Sequence, residues 1–410
     1  MEWFAWSFPQ ELSARFPSGK PMDRAVNSRT MRATNRGLVF EKLVVEPGIS
    51  RPRLAQSLNL TKMSISKIVA ELLQRGLIQE EEKIISGEAH KNPVSLNLAS
   101  GCPRIIGIQI QRKYCKAVLC DFRLNILDGR QVNFERKISL KRLKEALLSM
   151  TEELLAAGNV LGIGIGCVGP VDVEKGVIRN PPNFGDVKDF PVAQFMEEAF
   201  GLPAVLEHHY NCAALAEQYF GIGRGVRNFL YVGITRGVGM GAVVNGRLYS
   251  SFLGNVPEIG HISVDVHGRR CRCGGRGCLE QYVSVDVMER ELEKLTGEKR
   301  PFREFCAMAD RPEVMGYFDK IMEYLKTVLA GSVNLFRPEL IIIGDEGKYF
   351  PDACVKALED GVAQSHLYQD WWKVRVRKTD MDRDLLMASP AVGIMEKVFA
   401  GELLFDNMEE

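Results

Sequence analysis

Leu38, Val39, Leu43 and Val44 recur at helical spacing and predict an apolar helix face near the start of the chain. A second, short helix is expected from Arg51 to Leu58, with Ser50 as its N-cap and Pro52 in its first turn. Asn59 and Leu60 make a turn. Thr61 can cap a third helix, in which Ile65, Ile68, Val69, Leu72 and Leu73 repeat at helical spacing until Gly76 ends it. Leu77 to Ile85 and Val94 to Leu98 then read as two strands around a Gly/Asn/Pro loop that contains His90. Short helices joined by a tight turn and followed by a hairpin describe a winged helix-turn-helix over residues 31–100. The second helix of such a pair enters the major groove of DNA. Residues 1–30 carry Pro9, Pro17 and Pro21 without clear periodicity and are expected to be a loose extension.

From Arg104 the pattern changes to strands alternating with helices. Ile105–Ile110 and Ala117–Cys120 look like paired strands, and Val160–Val168 is a glycine-rich buried strand. Ala204–Leu206, Leu230–Ile234 and Leu340–Ile343 follow, the last after a long helix from about Pro312 to Asn334. The whole is an α/β layout in two lobes, over residues 101–410.

The chain has 410 residues, 46% apolar and 26% charged, with a net charge of +1, so no global field dictates a nucleic-acid or membrane partner. Charge is uneven, however: from Lys20 to Lys67 there are ten Lys/Arg against three Asp/Glu. That local excess is an electrostatic footprint for phosphates. Arg51, Arg53, Thr61, Lys62, Met63, Ser64, Ser66 and Lys67 are the candidate DNA contacts, mostly short polar or basic side chains. No apolar run has membrane-spanning length and the start makes a poor signal peptide, so a cytoplasmic protein is expected. The ten cysteines then argue for thiols and metal rather than disulfides.

Glu258-Ile-Gly-His261 precedes Cys271-Arg-Cys273-Gly-Gly-Arg-Gly-Cys278-Leu-Glu280. Three thiolates and an imidazole form a closed four-coordinate set that suits structural Zn2+ and leaves no position for a catalytic water. Such a metal would order the loop 258–280, which carries a carboxylate at each end.

These motifs, with Gly164-Ile-Gly-Cys-Val-Gly169-Pro170-Val-Asp172, Pro182-Asn183, Phe190-Pro191 and Gly237-Val-Gly-Met-Gly241, occur in an order that resembles the ROK family (repressors, open reading frames and sugar kinases). The winged helix places the chain with the transcriptional-repressor branch. The resemblance implies an actin-like, ribonuclease-H-like, sugar-kinase-type fold. It also implies a sugar pocket lined by Asn183, Glu258, His261 and Glu280, with backbone from Gly169 and with His208 and His209 at the reacting hydroxyls.

Departures from the family pattern bear on function. Family kinases carry Gly-x-Asp-x-Gly-Gly-Thr on the first strand, where this chain reads Gly107-Ile-Gln109-Ile-Gln111-Arg112-Lys113. Their Glu-Asn-Asp-x-Asn, whose Asp is the general base, is here Glu207-His208-His209-Tyr210-Asn211. Gln109 and His209 thus replace both aspartates, and Gly344-Asp-Glu-Gly347 matches the adenosine-side run poorly. The expectation is a non-enzymatic regulator: a homodimer, or a dimer of dimers, that binds double-stranded operator DNA and responds to a sugar-like effector. Arg112 and Lys113 favour an anionic effector if they point inward. The alternative is a sugar kinase with an accessory DNA-binding domain, which the glycines from Gly237 to Gly241 favour.

Overall fold

The computed structural model describes residues 28–82, 94–135, 138–249, 256–367 and 369–405. Residues 1–27, the end of the first wing strand and His90 lie outside these.

The N-terminal module consists of α1 (Ser28–Val45), α2 (Arg51–Leu58), α3 (Lys62–Gln74) and an antiparallel pair, β1 (Ile78–Glu82) and β2 (Val94–Leu98). This is the expected winged helix-turn-helix. Thr61 caps α3 by accepting the Ser64 N–H at 3.1 Å. Ser50 has the extended backbone of an N-cap, but its side chain makes no capping hydrogen bond. Asn59 ends α2 in the left-handed conformation, φ 52°. The apolar face of α1 is wider than expected. Val39, Leu43 and Val44 are buried while Leu38 is 37% exposed, and Phe40 is fully buried. The reason is that α1 packs on two partners at once: its own module and the domain that follows.

The first lobe is built on the sheet order β5-β4-β3-β6-β9, from β3 (Arg104–Ile110), β4 (Tyr114–Cys120), β5 (Ile126–Asn133), β6 (Val160–Cys167) and β9 (Ala204–His208). A small hairpin, β7 (Val171–Asp172) with β8 (Val177–Ile178), lies between the last two. One face is covered by α4 (Leu140–Leu155) and α5 (Val192–Phe200). After β9 the chain enters α6 (His209–Phe220) and then the second sheet. That sheet has the order β12-β11-β10-β13-β14, from β10 (Phe229–Ile234), β11 (Val238–Val244), β12 (Arg247–Leu248), β13 (Leu340–Asp345) and β14 (Arg375–Lys378). Its outer face packs on α7 (Glu280–Val283), α8 (Val285–Thr296), α9 (Phe302–Cys306), α10 (Pro312–Phe336) and α11 (Asp352–Ala363). The chain then returns to the first lobe through α12 (Arg383–Ala388) and α13 (Val392–Phe399).

The DNA-binding-type module is not strung on a free linker. Phe40 of α1 meets Phe122 edge to face at 5.0 Å and Phe405 at 6.2 Å. Buried residues of the module, the inner faces of both sheets, α6 and α13 form one continuous apolar core. An ion pair between Glu46 and Arg224 at 3.7 Å bridges the module to the segment after α6. Among the described residues, no helix is long and apolar enough to cross a membrane.

Candidate effector cleft, metal cluster and nucleic-acid face

The cleft is organised by the junction of β9 and α6. Parallel pairing sets His208 opposite Cys167 of β6. His209 Nδ1 lies 3.3 Å from the Cys167 carbonyl oxygen, which can only accept, so Nδ1 carries the proton and Nε2 keeps its lone pair. His208 Nδ1 accepts the Tyr210 N–H at 3.3 Å, so its proton sits on Nε2. The two rings are 4.6 Å apart and of opposite tautomer. Burial lowers the His209 pKa to about 4 against the help of the Cys167 carbonyl. It lowers that of His208 further, with His209 and Arg112 adding to the effect. Both imidazoles are therefore neutral at pH 7.

Gly169 brings backbone against this pair. A Cβ there would lie 2.9 Å from His208 Cδ2 and 3.8 Å from Glu258 Oε1, so Gly169, His208 and Glu258 share one wall. Glu258 is desolvated in the cleft, which raises its carboxyl pKa; His261 and Arg112 oppose the rise and Glu280 reinforces it. Glu280 abuts the second glycine loop, its Oε2 lying 2.9 Å from where a Gly237 Cβ would stand. Asn183, with φ 60°, accepts a hydrogen bond from Arg272 of the 258–280 loop. Gln109 is buried on β3, and its Oε1 has no partner among the described residues.

Two contributors are not evident from the sequence. Tyr210 places its ring directly on the second sheet: Cβ atoms on Gly233 and Gly239 would each lie 2.1 Å from it. Its hydroxyl is 3.4 Å from both Thr235 Oγ1 and the Gly237 carbonyl oxygen. The facing glycines are visible in the sequence, but only the pairing of the lobes reveals what fills them. Arg272, the other, sits among the cysteines and reads there as a loop residue.

His261, Cys271, Cys273 and Cys278 come together, all ligand atoms within 4.8 Å of one another, in a cluster that could hold a metal ion. Cys271 Sγ is 3.6 Å from His261 Nδ1, and Cys273 Sγ is 3.6 Å from Cys278 Sγ. That separation is far too long for a disulfide and close to the edge of a tetrahedron of thiolates around one ion. Gly277 is required here: its φ is +66° and a Cβ would lie 1.7 Å from the Asp265 carbonyl oxygen. Gln281 Nε2 lies 3.7 Å from Cys271 Sγ and orients it. His267 is exposed and outside the cluster.

On the module, Thr61, Lys62, Met63, Ser66 and Lys67 are exposed along one side of α3, with Met63 82% exposed. Ser64 is half-buried and shares a 2.9 Å hydrogen bond with Thr61, so part of their polar capacity serves the cap. Arg53 is exposed. Arg51 is half-buried and ion-paired with Glu80 of β1.

A winged helix-turn-helix fused to a two-lobed α/β domain with a His/Cys3 cluster beside the cleft defines a sensor-regulator class of protein. The family model for the ROK family matches residues 105–385, and the chain belongs to that family. It is 27% identical over 389 residues to the DNA-binding transcriptional repressor Mlc of Escherichia coli K12, covering 91% of this chain and 96% of that protein. A solved ROK family transcriptional regulator, described as a homologue of the E. coli Mlc protein, superposes with a TM-score of 0.77 at 25% identity, covering 92% of this chain and 98% of the other. The ROK hexokinase of Thermus thermophilus, 28% identical, superposes with a TM-score of 0.60 over 72% of this chain and 98% of its own. The hexokinase matches less of this chain than the regulators do.

Proposed function

We propose that this protein is a cytoplasmic, sugar-responsive transcriptional repressor that binds operator DNA as a homodimer or dimer of dimers. The observation that carries this reading is the joining, through one core, of a helix-turn-helix with an exposed basic α3 to a sugar-kinase-like cleft. Lys62, Lys67 and Arg53 contact phosphates, while Thr61, Met63, Ser64 and Ser66 face base edges. Effector binding between the lobes moves α6, whose first turn lines the cleft and whose last turn packs Tyr219 on Phe399 of α13, ring centroids 5.3 Å apart, the residue whose carbonyl lies against Gly37 of α1. A rigid element tied at both ends converts lobe closure into a change in the spacing of two α3 helices in a dimer.

Gly169, Asn183, His208, His209, Glu258, His261 and Glu280 form the effector site in this proposal. Carboxylates and an amide hold sugar hydroxyls, and the neutral histidines offer one donor, at His208 Nε2, and one acceptor, at His209 Nε2. The soft donor set of the metal cluster fits Zn2+, which would be held by His261, Cys271, Cys273 and Cys278. Bound there, the ion supplies structural cross-linking of the loop; Glu258 and Glu280 flank it and inherit its rigidity.

The protein is not a sugar kinase in this reading. Gln109 and His209 stand where family kinases carry aspartates, and the Tyr210 ring packs on the glycines Gly233 and Gly239. Phosphoryl transfer depends on metal-borne charge neutralisation and positioning, and this combination removes both.

Affinity capture of sheared genomic DNA by the full chain, with sequencing of the retained fragments, tests the proposal. Enrichment of a few two-fold-symmetric sites is expected. Diffuse retention that vanishes with salt would contradict it. ADP release dependent on ATP and a hexose would contradict the non-enzymatic part.

A further inference from the structure

Arg112 is the cation of the cleft that the proposed function leaves unused. It sits on the turn between β3 and β4, half-buried, with Nε donating to the Pro182 carbonyl oxygen at 3.0 Å. That bond fixes the guanidinium plane. Among the described residues Arg112 forms no ion pair, whereas its charge is felt by His208, His209, Tyr210 and Glu258. His208, His209 and Tyr210 stand at the start of α6 and Glu258 begins the 258–280 loop, while Pro182, which holds the guanidinium, adjoins Asn183, so Arg112 stands beside the segments that wall the cleft. A half-buried arginine whose terminal nitrogens have no carboxylate partner is a vacant fork for an oxyanion.

We infer that the effector is an anionic sugar, carrying a phosphate ester or a carboxylate, and that Arg112 reads the anionic group. Three further features of the cleft agree. His208 turns Nε2–H towards the Gly169 wall, 3.0 Å from where a Cβ of Gly169 would stand, and so offers a neutral donor beside the cation. α6 begins at His209 and runs for twelve residues, so the positive end of its dipole opens into the cleft. Gln109 and His209 are both uncharged where the family pattern would place two carboxylates that repel an anion. Glu258 and Glu280 remain, and they suit the hydroxyls of the same molecule. The charge pattern thus calls for one end of the ligand to be polyhydroxylated and the other negative. Arg272, tied to Asn183, adds a second guanidinium on the residue next to Pro182, where Arg112 is held.

This inference rests on the effector-binding reading above, and the test separates the two. Calorimetric titration of the full chain would use glucose, mannose and fructose, their 6-phosphates, glucuronate, and inorganic phosphate alone. At least one anionic sugar is expected to bind about tenfold more tightly than its parent sugar, a difference of ~1.4 kcal/mol. Phosphate esters and glucuronate tell the two anion classes apart. Arg112→Gln should collapse the ratio of the two affinities to near one while melting temperature and metal content stay unchanged. His209→Asp, which returns a carboxylate to the cleft, should also lower the ratio. Equal affinity for a sugar and its anionic form, or a preference that survives Arg112→Gln, overturns the inference and leaves the effector reading intact. Binding of inorganic phosphate alone as tightly as the esters overturns the sugar part. No binding by any probe overturns both readings.

Discussion

Gly37 of α1 lies against the main-chain carbonyl of Phe399 in α13, so closely that a Cβ at position 37 would come within 2.1 Å of the oxygen. Backbone contact of this kind fixes how the DNA-binding module sits on the sensor, because neither partner is a flexible side chain that can move aside. Gly37→Ala therefore forces α1 and α13 apart. The cost expected is about 1–3 kcal/mol, as for overpacking elsewhere. Chemical denaturation should show a lower midpoint, and operator affinity should fall although no DNA-facing residue has changed. An unchanged midpoint would mean that the module docks loosely.

Removal of the metal tests the cluster. Protein purified without chelator should contain about one zinc per chain, as a closed Cys3His set requires. Cys278→Ser, at a buried ligand, should lose the metal and lower the melting temperature. Binding of any sugar probe should weaken at the same time, because Glu258 and Glu280 lose the anchored loop between them. Metal loss with unaltered ligand affinity would confine the ion to loop stability.

Much of this arrangement is legible in the sequence, for reasons of period and spacing. The helix α3 follows from the repeat of Ile65, Ile68, Val69, Leu72 and Leu73 and from the Thr61 cap, and α2 from Pro52 in its first turn. The cluster follows from four ligands of the right chemistry within one short loop. What the pattern hides is contact between distant segments. The burial of Phe40 depends on Phe122 and Phe405, neither of which has any periodic relation to it. The edge strand β5 is invisible for a different reason: its residues are exposed or half-buried, so no alternation of apolar and polar positions marks it. The ion pair of Arg51 with Glu80, across the module, is hidden in the same way as the Phe40 contacts.

The junction of module and sensor also carries a pH dependence. Glu41 on α1 is pushed from 4.5 to about 7, first by burial and then by Glu396 of α13, with Lys42 opposing. Glu396 is itself raised by burial and accepts a hydrogen bond from Tyr219 of α6. A carboxyl whose folded pKa lies above its unfolded value keeps its proton in the fold after the unfolded chain has lost it. Its stabilising contribution is complete below about 4.5 and is lost as pH rises through about 7. Glu41→Gln should make stability less dependent on pH across that window. Denaturation midpoints at a series of pH values would show it, and parallel curves for the two proteins would refute the assignment.

Operator binding should depend on α3 in two separable ways. Lys62→Ala and Lys67→Ala each remove an exposed charge, so affinity should fall for every DNA sequence. The slope of log affinity against log salt should decrease by about one for each phosphate no longer neutralised. Ser66→Ala removes an exposed hydroxyl without touching charge or the core, and should relax preference at one base position with the salt slope unchanged. Thr61→Ala differs from both, because Thr61 also accepts the Ser64 N–H at 3.1 Å. Loss of that cap costs about 1 kcal/mol of helix stability. Weaker operator binding by this variant should therefore be accompanied by a lower melting temperature, whereas the lysine variants melt like the unaltered protein. Titrations of one operator and one unrelated duplex at several salt concentrations measure all three effects. A lysine variant with reduced affinity for the operator alone would move that side chain from the phosphates to a base edge.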